Sequence, residues 1–98
     1  MQADNFVLLC CALKVPVYEG RLIDALLTHQ VVKPIELELQ YGFSEGGVRV
    51  ATHRLRDRLR PLGVKISNQY GVGYFLDADS RAKIRARVDS FSEAVAAI

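Results

Sequence analysis

The chain has 98 residues, half of them hydrophobic and only three proline. This length makes one domain with one small core, and this composition excludes a disordered tail. The formal charge is only +2, but residues 49–65 hold six Arg or Lys against one Asp, while residues 1–48 sum to −3 and residues 66–98 to zero. A basic patch on a neutral or acidic body is the footprint of a protein that meets phosphates on one side.

In chain order, Phe6–Leu13 is an apolar run too short for a membrane span, with no basic residue before it and no small-residue cleavage site after it. A cytoplasmic protein with no membrane partner is expected. Periodicity leaves helix or buried strand open for residues 1–15; helix is favoured, with Asp4 or Asn5 as its cap and Val15-Pro16 as its stop. Cys10 and Cys11 are adjacent, which disfavours a disulfide, and no CxxC or Cys/His metal spacing exists. They read as reduced, buried small hydrophobes.

Pro16 suits the first helical position, and Leu22, Ile23, Ala25, Leu26 and Leu27 give a helix over about Val17–Thr28 its apolar face. His29 follows as a surface or helix-end residue, and Val31-Val32-Lys33 as a short strand. Ile35–Tyr41 alternates strictly, the pattern of a strand. Pro34 at a helix start, good helix formers throughout and Gly42 as a stop argue for a helix instead. Phe43–Gly47 joins it to the next element, with Ser44 as an N-cap and glycines that either relax the turn or admit a phosphate.

Val48, Thr52, Leu55, Leu59 and Leu62 recur as one helical stripe, with Arg49, Val50, His53, Arg54, Arg56, Asp57 and Arg60 opposite. Pro61 and Gly63 end this helix near Arg60. Val64–Ser67 reads as a strand and Tyr74–Leu76 as its return, joined by Asn68–Gly73, whose glycines permit positive φ. By alternation Tyr74 points to the core. The last helix is capped by Asp79 or Ser80, and Ile84, Val88, Phe91, Val95 and Ile98 form a narrow seam. Arg81, Lys83, Arg85 and Arg87 crowd its first half. It is expected to pack on the N-terminal segment; the competing reading is a homodimer seam through residues 80–98.

The pattern V-x-V-x-x-x-R-L-R-x-R-L from Val48 to Leu59, followed by I-x-N-x-x-G-x-G-Y-x-L from Ile66 to Leu76, resembles the effector domain of OmpR-type response regulators. The resemblance covers residues 15–76; both ends depart from the family, and residues 77–98 form a C-terminal helical extension. It implies a mainly α fold with a small β hairpin (α+β): a stand-alone winged helix-turn-helix without a receiver. Arg49, Ala51 and Tyr70 stand where the family has an acidic residue, His and Arg, differences that bear on DNA sequence preference.

The function implied is sequence-specific binding of double-stranded DNA by a prokaryotic or phage transcription regulator at the nucleoid, with recognition helix 47–60 in the major groove and wing 67–73 on the backbone or minor groove. From the wheel and the family pattern, Val50, His53 and Arg54 are assigned to bases, and Arg49, Arg56, Arg58, Arg60 and Lys65 to phosphates. Asn68, Gln69 and Tyr70 are assigned to the wing. Two histidines, adjacent cysteines and no nucleophile–base motif argue against an enzyme and against any cofactor. Two other readings compete: an adaptor binding RNA polymerase or another regulator, and a nucleoid protein indifferent to sequence.

Overall fold

The computed structural model describes residues 3–44 and 46–97. It is mainly α with one antiparallel hairpin, as expected: α1 Ala3–Leu13, α2 Val17–Thr28, α3 Pro34–Tyr41, α4 Gly47–Leu59, β1 Ile66–Gln69, β2 Gly73–Leu76 and α5 Ala78–Ala96. A 3₁₀ turn, Arg60–Leu62, extends α4. Among the described residues no helix is long and apolar enough to cross a membrane.

The core gathers around α2, which packs on α1, α3, α4 and β2. Its Leu22, Ile23, Ala25 and Leu26 are buried, because at helical spacing they form one face, and they meet Leu37 of α3 and Val48, Leu55 and Leu59 of α4. The strands pair Ile66 with Leu76 and Gln69 with Gly73. The expected strand at residues 31–33 reduces to one bridge, in which Val32 and Tyr74 exchange two backbone hydrogen bonds of 2.8 Å. Tyr74 is half-buried against the core, on the side that alternation indicates.

The element boundaries correct several expectations. Helix α1 already includes Asp4 and Asn5, so neither is its cap. Pro16 is the N-cap of α2, not its first helical residue. Gly46, not Ser44, precedes the first turn of α4, with no side-chain cap; Glu45 lies outside the described residues. Asp77, not Asp79 or Ser80, caps α5, its carboxylate accepting from the Ser80 N–H at 2.7 Å. Strand β1 starts at Ile66, not Val64, because the Val64 N–H reaches back over the 3₁₀ turn to the Leu59 carbonyl and the Lys65 N–H donates to Ser80 Oγ. Cys10 is half-buried and Cys11 exposed, so only the first behaves as a packed hydrophobe.

Helix α5 packs along α1, with Ile84 buried and Val88 half-buried. Farther on, Phe91 is half-buried and Val95 exposed, while Ile98 lies outside the described residues.

Candidate functional site

The basic helix α4 is fixed by its inner side. Val48, Ala51, Thr52, Leu55 and Leu59 are buried, and the Thr52 hydroxyl donates to the Val48 carbonyl at 2.7 Å, so no polar atom is stranded. Leu62 is only half-buried, because the helix tightens into the 3₁₀ turn before reaching it.

The outer side divides along its length. In its first half Arg49, Val50 and Arg54 are exposed, and among the described residues neither arginine makes an ion pair. In its second half Asp57 gathers its neighbours: His53 Nε2 lies 3.7 Å and Arg60 Nη2 3.1 Å from its carboxylate oxygens. Both pairs are exposed, so they hold their partners weakly and can give way to an incoming anion.

The other two arginines lean to opposite flanks. Arg56 Nε donates to the Ile66 carbonyl at 3.1 Å and ties α4 to the start of β1. Arg58 Nε meets Glu19 Oε1 at 2.9 Å, neutralising a carboxylate on α2 that is only 3% exposed. Arg58 is therefore first a partner of Glu19, not a free member of the outer row, since an ionised carboxylate in that position needs a cation. On the hairpin flank a groove of about 380 Å³ is lined by Arg56, Arg60, Lys65 and Ser67 over an apolar floor of Val64 and Ile66. Asn68, Gln69 and Tyr70 are exposed at the hairpin end, Tyr70 fully so. The turn closes with the Val72 N–H on the Gln69 carbonyl at 2.9 Å.

The chain thus brings Arg56, Arg60 and Lys65 into one groove, leaves Arg49, Val50, His53 and Arg54 on an open face, and sets Arg58 aside toward α2. From the sequence, Arg81 is placed only among the charges of the last helix and given no partner. It donates to the carbonyls of Leu76, Leu27 and His29 at 3.1, 3.2 and 2.8 Å, so it caps the end of α2 and joins it to β2 and α5. His29 itself is the C-cap of α2, its Nε2 3.4 Å from the Tyr41 hydroxyl. The pairing of Glu19 had a signal: it shares the buried helical face of Leu22, Ile23 and Leu26, where an acid calls for a cation.

Neither a protein-family model, nor a curated protein, nor a solved structure matches the chain.

Proposed function

We propose that the chain binds double-stranded DNA, with α4 in the major groove and the β1–β2 hairpin as a wing, and that it acts at the nucleoid as a transcription regulator. The observation that carries this reading is the open face of α4, where Arg49, Val50 and Arg54 stand exposed beside a basic groove and an exposed hairpin turn. A helix enters the major groove and reads base edges with a few side chains, while flanking cations hold phosphates. Arg54 can take guanine O6 and N7, and Val50 can meet a thymine methyl. Arg60 and Lys65 can take phosphates once Arg60 releases Asp57.

Duplex titrations at matched salt test this. Arg54→Ala should cost roughly 1–3 kcal/mol on a preferred site and flatten discrimination at one base position. Arg60→Ala should weaken all duplexes alike and lower the salt slope by about one. If neither variant alters duplex binding while the fold survives, the reading is wrong.

One observation favours the protein-binding alternative. Ile35 and Leu39, one turn apart on α3, are 54% and 79% exposed, and an apolar pair so open is the kind of surface that partners cover. Elution from duplex DNA only at raised salt supports the DNA reading, and passage through the column at low salt the protein-binding one.

A further inference from the structure

Helix α4 has a second cationic cleft, on the flank away from the hairpin. Lys14 from the corner after α1, Arg58 from α4 and Arg87 from α5 line a hollow of about 270 Å³ walled by Ala12, Leu13 and Leu62. Three elements distant in sequence converge there. Glu19 offsets the charge of Arg58. Lys14 and Arg87 are exposed, and among the described residues neither has an acid within ion-pair distance.

The backbone at Lys14 is the second observation. Helix α1 ends in a turn where the Val15 N–H reaches the Cys10 carbonyl and the Lys14 N–H the Cys11 carbonyl, which places Lys14 in the left-handed region at φ +56°. That position ordinarily belongs to glycine, and glycine occupies it after α3 at Gly42 and after the 3₁₀ turn at Gly63, both at φ +74°. Among the described residues Lys14 is the non-glycine residue held at positive φ. A strained residue whose ammonium lines a cleft beside Arg87, with neither cation ion-paired among the described residues, points to use of that ammonium.

A helix seated in a major groove, about 12 Å wide, has one phosphodiester strand on either side. The groove of Arg56, Arg60 and Lys65 lies on one flank of α4 and the hollow of Lys14, Arg58 and Arg87 on the other. We propose that this hollow seats the phosphate backbone of the second DNA strand, so that α4 is clamped between two cationic clefts. The proposal rests on the DNA reading above, and it gives α1 and α5 a direct part in binding.

The test is a salt series of duplex titrations, read by fluorescence anisotropy, on the full chain and its Lys14→Gly, Arg87→Ala and Arg54→Ala variants. Each of the first two should lower the steepness of log affinity against log salt by about 0.9, the share of one phosphate, and leave base preference unchanged. Lys14→Gly should also melt a few degrees higher than the parent, since it relieves the backbone while removing the charge. Arg87→Ala should melt as the parent does. Unchanged slopes in both, with Arg54→Ala defective, overturn the clamp and leave the DNA reading standing. No salt-dependent duplex binding by the parent overturns both. Should Lys14→Gly melt lower, the strain argument fails and Arg87→Ala decides alone: a reduced slope supports the cleft and an unchanged one overturns it.

Discussion

Gly73 is where one added carbon should do the most harm to the hairpin. Its φ is +137°, a conformation L side chains rarely adopt. A Cβ there would stand 2.5 Å from the Val32 carbonyl oxygen and 2.9 Å from its carbon, both backbone atoms. Room can be made only by prying Val32 from Tyr74, which breaks the two 2.8 Å hydrogen bonds that anchor the hairpin to the segment before α3. Backbone strain of about 1–3 kcal/mol and two hydrogen bonds at about 1 kcal/mol each make Gly73→Ala worth roughly 3–5 kcal/mol. In a domain this small that lowers Tm by at least about 12 °C. Gly71→Ala is the matched control: φ is +76°, but nothing lies within 4 Å, so only the left-handed cost of about 1 kcal/mol applies. Thermal unfolding followed by circular dichroism compares them. Equal melting temperatures for the two variants would refute the contact argument.

Arg58→Ala should lower Tm by the equivalent of roughly 1–3 kcal/mol, below the usual cost of breaking a buried pair because Arg58 is 47% exposed. Glu19→Gln in the same chain should recover part of the loss, whereas Arg54→Ala should not shift Tm; equal melting of the two arginine variants contradicts this. The Ser80 N–H and hydroxyl hold the Asp77 carboxyl below the ordinary aspartate range. Its contribution is thus present above the unfolded-chain value and lost as pH falls through the lower folded one. Asp77→Ala should melt below the parent at neutral pH and converge with it in strong acid, and a gap that persists there counts against the cap. Burial, then neighbouring Cys11 and Asp24, push the Cys10 thiol up, while Cys11 is exposed. Alkylation at mildly alkaline pH should therefore show a fast phase that Cys11→Ser removes; loss of that phase in Cys10→Ser instead would reverse the assignment.

Helices α2 and α4 were legible because local signals agreed along them, whereas periodicity alone left α1 open and pointed to a strand at α3. Pro16 and the apolar spacing of Leu22, Ile23 and Leu26 mark α2 within a residue of its true start. The alternation of Ile35, Leu37 and Leu39 misleads as a strand signal. In the helix it buries Leu37 and turns Ile35 and Leu39 to solvent, which makes them an exposed pair instead of a core face. For the interface, the wheel separated inner from outer residues of α4 but not the fate of each arginine. Arg58 finds Glu19 39 positions away, and Arg81 finds carbonyls more than 50 positions away. No local pattern encodes such distances. The same holds for Lys14 and Arg87, which only the packing of α5 on α1 brings beside α4.

The pairing of α1 with α5 also bears on how the molecule assembles. The apolar side of α1 includes Leu9, 1% exposed, and part of its cover is Ile84 and Val88 of a helix that ends at Ala96. During synthesis that cover is absent until α5, more than 60 residues after α1, has left the ribosome, so closing this contact comes after α2, α3 and α4 are made and has a long loop to close. The α2–α3–α4 unit has shorter separations and can organise first. In pulsed hydrogen exchange during refolding, amides of α4 should gain protection before those of α1, and the reverse order would place α1 in the early nucleus.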